Sequence, residues 1–268
     1  MTGLTGVSNT AVGAAWVRAK ESERPDRLFD DPYASAFVAA AGTGYSTGAR
    51  DLFADHLAFR TRFFDGYLTG SGHRQVVLLA AGLDSRAYRL DWAPGVRLFE
   101  LDLPELLAFK DGVLAGMGAE PRCERVVVPA DLREDWPGAL RAAGFDPGEP
   151  AAWLAEGLLI YLDAADSARL LTRVGELSAA GSSLSFEHDA AAAADLMERV
   201  RTMPRLRRVA ELWRGGLGED AAAWLGARGW RTRTVARAEL AAEYGRASTG
   251  KGGFLVAERD ADHETDGE

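Results

Sequence analysis

Apolar residues along this chain fall into two kinds of run. Short ones at Gln75–Ala80, Val96–Leu101, Glu124–Val128, Ala152–Ala155 and Ser182–Phe186 have the length of buried strands. Between them, apolar positions recur at helical spacing, as in Leu103–Ala115 and Ala164–Ala179, with Pro104 suited to a helix's first turn. Such alternation predicts a mainly parallel sheet with helices on both faces. Trp230–Val235 and Gly253–Ala257 are expected as two more strands pairing at an antiparallel edge, with a helix over Arg237–Glu243 between them.

Before residue 75 the pattern is helical throughout. Ala11–Glu21, Pro32–Ala40 and Asp51–Leu68 read as three helices, parted by Arg24-Pro25-Asp26 and the glycine-rich Gly42–Gly48. A further helical segment, Ala190–Trp213, interrupts the alternation after the fifth strand, and Gly215-Gly216 ends it. The expected organisation is a helical cap at 1–72, a sheet core at 73–258 with an insertion at about 190–216, and an acidic tail at 259–268. Cap and insertion are expected over the carboxyl ends of the strands.

Composition narrows the function. The net charge is −9, and the segment from Glu258 to Glu268 holds −5 of it, so that end is expected to stay mobile. The body carries no basic stripe, which argues against nucleic acid as a partner. No apolar run approaches the about 20 residues that a membrane span needs. Met1 to Asn9 lacks a secretory pattern, and Cys123 is the single cysteine, so a cytoplasmic protein without disulfides or a cysteine-based zinc site is expected. Neither H-E-x-x-H nor G-x-S-x-G occurs, and no metal is expected.

Candidate chemistry centres on Ala80-Ala81-Gly82-Leu83-Asp84, where the first strand breaks into a turn. Gly82 would let backbone pass close to a cofactor, where a β-carbon would collide. The G-x-G-x-x-G fingerprint started at Ala80 meets Ala, Gly and Ser, so a pyrophosphate is poorly supported and a cofactor without phosphates is favoured. Asp102, beside Leu103, lies twenty residues after Gly82 at the end of the second strand, where a carboxylate can accept from both hydroxyls of a ribose. Asp131 and Leu132 follow the third strand and suit an adenine, the first by its side chain and the second by its N–H. Glu156 ends the fourth strand among apolar neighbours and needs a partner or a function. Arg60 or Arg62 suits a carboxylate, and pairing of either with Asp55 or Asp65 on the helix surface is an equal alternative. His188 ends the fifth strand and could serve as a general base or orient an acceptor.

Together these segments resemble the leucine carboxyl methyltransferase family, in its bacterial branch linked to small-molecule metabolism. The resemblance rests on Thr10-Ala11-Val12-Gly13, Arg18-Ala19-Lys20-Glu21-Ser22, Asp30-Asp31-Pro32-Tyr33-Ala34, Arg60-Thr61-Arg62-Phe63-Phe64-Asp65 and Ala81-Gly82-Leu83-Asp84-Ser85-Arg86. It continues through Glu100-Leu101-Asp102-Leu103-Pro104, Asp131-Leu132-Arg133 and Trp153 to Leu162. It implies a seven-stranded, Rossmann-like methyltransferase sheet with an N-terminal helical cap, and S-adenosyl-L-methionine as cofactor. By matching position, Ala80 and Gly82 would face the methionine portion, Asp102 the ribose, Asp131 with Leu132 the adenine, and Glu156 the cofactor floor. An arginine of Arg60-Thr61-Arg62 would meet the methionine carboxylate. The family usually has glycine at position 80, where this chain has alanine.

The expected activity is O-methylation of a small molecule, at a carboxylate in preference to a hydroxyl. A carboxylate is ionised at neutral pH and needs positioning and desolvation alone. A hydroxyl would need a base, with His188 or Glu187 as candidates, and Tyr161 could orient either acceptor. A cofactor-binding protein without transfer activity, or a nicotinamide oxidoreductase, are the competing readings. Monomer and homo-oligomer are equally compatible with the sequence.

Overall fold

The computed structural model describes residues 8–42, 51–188, 211–218, 220–247 and 252–261. Its seven strands are β1 (Gln75–Leu79), β2 (Arg97–Asp102), β3 (Glu124–Pro129), β4 (Ala151–Ala155), β5 (Ser183–His188), β6 (Trp230–Ala236) and β7 (Gly253–Arg259). They form one sheet in the order β3-β2-β1-β4-β5-β7-β6. The first five strands pair parallel, and β7 runs antiparallel to both β5 and β6. The chain winds outward from β1 to β3 on one side and from β4 to β5 on the other, and β7 then inserts between β5 and β6. The reversal opens a crevice at the carboxyl ends of β1 and β4, where open α/β sheets take their ligands.

Alternation along the strands divides the core in two. Val77 and Leu79 of β1, Phe99 and Leu101 of β2, and Trp153 of β4 face one side with no more than 1% exposure. There they meet α6 (Trp136–Ala142), α7 (Ala164–Glu176) and α8 (Ala221–Gly226). Val76, Leu78, Leu98, Leu154 and Phe254 face the other side. That face is covered by α1 (Ser8–Ser22), α2 (Ala34–Ala41), α3 (Asp51–Gly70), α5 (Pro104–Gly116) and α9 (Arg237–Glu243), while α4 (Arg86–Arg89) is a single turn after β1. Asp135, Asp163 and Asp220 cap α6, α7 and α8 with their side chains, and Pro104 opens α5.

The helix α3 does more than cap the strand ends. Phe59, Phe64 and Leu68 belong to the sheet's own core, and the Tyr67 hydroxyl reaches Trp153 O at 3.1 Å and Ser183 Oγ at 2.9 Å. Two expectations need correction. Glu258 and Arg259 are not part of a mobile end, because β7 runs through them and Arg231 pairs with Glu258 at 2.7 Å. The helical pattern of 190–213 lies outside the described residues up to 210, and residues 211–213 are not helical. The following backbone is tied elsewhere, with Arg214 N–H donating to Ile160 O at 2.8 Å and Gly216 N–H to Leu162 O at 3.0 Å.

Candidate cofactor and acceptor site

After β1 the chain turns through Ala80 and Gly82, both at φ +54°. Glycine takes this left-handed conformation freely, whereas Ala80 holds a β-carbon in it. A β-carbon added at Gly82 would meet Cβ of Ala11 at 3.4 Å, so α1 is what closes on that side of the turn. Arg18 of the same helix ties the turn down by donating to Leu83 O at 2.6 Å.

Asp102 ends β2 with its carboxylate against this turn. Oδ2 accepts from Gly82 N–H at 2.6 Å and Oδ1 from Leu103 N–H at 2.7 Å. Burial pushes the carboxyl above its ordinary range, and these two hydrogen bonds only partly offset the rise. Each carboxylate oxygen can accept more than one hydrogen bond, so both keep an acceptor position for a pair of hydroxyls. Glu100, two residues earlier, is completely buried and pairs through Oε2 with Lys110 at 2.8 Å and Arg125 at 2.7 Å.

Across the crevice lies a network of ion pairs. Arg60 of α3 reaches Glu156 through Nε and Glu187 through Nη1, each at 2.8 Å. Arg86 of α4 joins Asp65 at 2.7 Å, Glu156 at 2.6 Å and Asp84, and Arg89 doubles the hold on Asp65. Glu187 accepts from the Gly157 N–H with both oxygens, at 3.0 and 2.8 Å, and Gly157 turns at φ +63° beneath Arg60. Burial alone would raise Glu156, but Arg86 and Arg60 outweigh it and hold the carboxyl below its usual range. Asp84 behaves likewise, held at about 2 chiefly by Arg86 against the cost of burial.

The residues singled out in the sequence are placed unevenly. Ala80, Gly82, Asp102 and Leu103 gather at the β1 and β2 ends, and Arg60 meets Glu156 at the end of β4. Arg62 points elsewhere, its guanidinium 5.6 Å from the Tyr244 ring centre. Neither arginine takes Asp65, which belongs to Arg86 and Arg89. Asp131 sits in a turn after β3 paired with exposed Arg133, and Leu132 packs partly buried against the core. Tyr161 closes a short 3₁₀ turn, Leu159–Tyr161, near enough to Arg60 to favour that residue's charge. His188 ends β5 on the face opposite Glu187. Sequence reasoning missed Arg86, Arg89 and Asp84; the signal was two arginines three apart, on one helical face, directly after the glycine turn.

The crevice therefore offers spare acceptors on Asp102 and a spare edge of Arg60, whose Nη2 meets no partner among the described residues. Four carboxylates, Asp65, Asp84, Glu156 and Glu187, face three guanidiniums, those of Arg60, Arg86 and Arg89. That excess of negative charge suits a ligand carrying a cation beside vicinal hydroxyls and a carboxylate. Among the described residues no group of His, Cys, Asp and Glu is placed to hold a metal, and no helix is long and apolar enough to cross a membrane.

Comparison with known proteins gives the family and the fold. A family model described as leucine carboxyl methyltransferase matches residues 11–175. A Frankia alni protein named as an S-adenosyl-L-methionine-dependent methyltransferase is 54% identical over 267 residues, covering 95% of each chain. A Rhodococcus jostii protein of the same name is 44% identical over 261 residues, 91% of this chain and 89% of that one. In fold, the chain is similar to a Thermobifida fusca structure named as a methyltransferase, with TM-score 0.55, 18% identity and 97% of each chain covered. It is also similar to magnesium protoporphyrin IX methyltransferase from Synechocystis with bound S-adenosylhomocysteine, with TM-score 0.53, 13% identity, and 92% of this chain and 100% of that one covered.

Proposed function

Because the chain belongs to the leucine carboxyl methyltransferase family, whose members are S-adenosylmethionine-dependent enzymes, we propose that it methylates a carboxylate on a small molecule. The observation that carries this reading is the meeting of Asp102 with the Gly82 turn at one side of the β1–β4 crevice and Arg60 with Glu156 at the other. In this assignment Asp102 holds the ribose hydroxyls with its remaining acceptor positions, and Leu103 fixes the carboxylate that does so. Nη2 of Arg60 takes the methionine carboxylate, and Ala80 and Gly82 lie along the methionine portion. Asp131 and Leu132 face the adenine, for which Asp131 must share its carboxylate with Arg133. Glu156 and Asp84 supply negative charge next to the cationic part of the cofactor.

When bound, the cofactor supplies a methyl group on a positively charged sulfur. The protein's part is to bring the acceptor oxygen in line and to keep water out, which favours a nucleophile that is already ionised. Glu187 supports a carboxylate, because both its oxygens are held by Gly157 and Arg60 and it is poorly placed to strip a proton. Tyr161 orients the acceptor. Nothing in the sequence marks a peptide groove, which favours a small molecule over a protein chain end.

Calorimetry with S-adenosylmethionine, followed by transfer of labelled methyl to a panel of carboxylic acids and their alcohol counterparts, tests the reading. Transfer to an acid with a rate flat from about pH 6 to 8 is expected, since no base needs to titrate. A rate that climbs through that range and collapses in His188→Ala would instead assign His188 as base for a hydroxyl.

A further inference from the structure

His56 stands four residues before Arg60 on α3, so both lie on one face of the helix, one turn apart. Arg60 is level with Glu187 at the carboxyl edge of the sheet, and Tyr67, seven residues on, meets Trp153 and Ser183 deeper in it. The helix therefore runs inward from that edge, and His56 lies just outside it. Its ring stacks over Phe254, the β7 residue paired with Glu187, with ring centres 6.4 Å apart and planes 14° apart. Its Nδ1 lies 3.1 Å from Nη1 of Arg237, the first residue of α9.

A guanidinium only donates hydrogen bonds, so Nδ1 of His56 accepts. A neutral imidazole with Nδ1 as acceptor carries its proton on Nε2. Neutrality follows from the surroundings. Burial, then Arg60 on the same helix and Arg237 from α9, drive the ring down to about 3, with Glu156 from the β4 end pulling weakly the other way. Among the described residues Nε2 has no hydrogen-bond partner, and His56 as a whole is half-buried. The result is a fixed N–H donor, presented at the carboxyl edge beside Arg60 and Glu187, and used by no part of the cofactor assignment.

We propose that the Nε2–H of His56 donates to an oxygen of the acceptor carboxylate, with Arg237 fixing the tautomer through Nδ1. The proposal rests on the carboxylate reading above and adds the residue that recognises that group. A ring held in this state matches an anionic oxygen, because a neutral donor to an anion gives a charge-assisted hydrogen bond without transferring a proton. It does not match a hydroxyl that must be deprotonated. Nδ1 is filled and Nε2 already carries hydrogen, so neither nitrogen can receive the proton. His56 is thus a specificity-determining residue and takes no proton in the reaction.

The test uses the full chain loaded with S-adenosylhomocysteine and labelled with ¹⁵N at histidine. At neutral pH the His56 signals should report the Nε2–H tautomer, and benzoate or octanoate should shift them. His56→Phe keeps the stack on Phe254 but has no N–H. It should bind these acids at least about 5-fold more weakly, the loss of one hydrogen bond, with cofactor-product affinity unchanged. His56→Gln, which restores an N–H at similar reach, should recover most of the loss. An Nδ1–H tautomer, signals unmoved by either acid, or equal acid binding by His56→Phe would each overturn the assignment of His56. Benzyl alcohol or octanol shifting the ring where the acids do not would overturn the carboxylate reading itself.

Discussion

Ala80 holds a β-carbon at φ +54°, in left-handed backbone that suits glycine, in the turn that faces the crevice. Left-handed backbone costs a non-glycine residue about 1–2 kcal/mol, and replacing it by glycine gives back part of that through the looser unfolded chain. Ala80→Gly should therefore leave stability within about 1 kcal/mol of the parent, on the favourable side, whereas Ala80→Val should lose more than about 2 kcal/mol. Urea unfolding of the three proteins measures both, and a clearly destabilised Ala80→Gly would show that the methyl is packed and not merely tolerated. Asp102 offers a second check at this scale. In Asp102→Asn an amide nitrogen replaces one acceptor, so either Gly82 N–H or Leu103 N–H loses its partner and, in the assignment proposed above, one ribose hydroxyl loses an oxygen. Affinity for S-adenosylmethionine should fall at least about 10-fold, worth about 1.4 kcal/mol. Unchanged affinity by calorimetry would remove Asp102 from the cofactor site.

At the scale of elements, α3 joins two jobs that separate along its length. Its later turns are core, through Phe64, Leu68 and the Tyr67 hydroxyl, and its earlier turns carry Arg60 to the crevice. Tyr67→Phe should cost about 1 kcal/mol of stability by thermal or urea melting and leave cofactor binding untouched. Glu187→Gln, which unbalances Arg60 and the Gly157 turn, should do the reverse and act mainly on cofactor binding or transfer, seen in calorimetry and single-turnover rates. The same helix shows what was legible beforehand. Its apolar spacing announced a helix, and the unbroken runs at β1 and β4 announced strands, because burial on both faces leaves no polar positions in them. The ends carrying Gly82, Asp102 and Glu156 were legible for the same reason, as polar residues where an apolar run stops. The ion-pair network was not. Arg60 finds Glu187 127 positions away, and Arg86 finds Glu156 70 positions away, distances over which no local periodicity carries information. Asp65 lay within a turn of Arg62 and invited a local pairing, yet the fold gave it to Arg86 and Arg89.

For the molecule as a whole, acid should lower stability over two pH windows. His56 protonates near 6.5 when unfolded and at about 3 when folded, so between these values the unfolded chain binds more protons and stability falls as pH drops. The slope from this residue is about 1.4 kcal/mol per pH unit. Asp84 adds a later loss, because it is held at about 2 when folded against an ordinary 3.8, and the advantage disappears as pH falls through that interval. Melting temperatures followed from pH 7 downward should show His56→Phe flattening the first decline and sparing the second. The sheet order carries a consequence for how the protein is made. β7 is synthesised after β6 but lies inside it, between β5 and β6. In a folding chain β6 has no partner, and β5 keeps an open edge, until β7 inserts between them. A released chain truncated before Gly253 should then be cut by protease in both the β6 and α9 regions, while β1 to β4 stay protected. Until β7 is seated, β5 therefore offers an unpaired edge to which a strand of another chain can add.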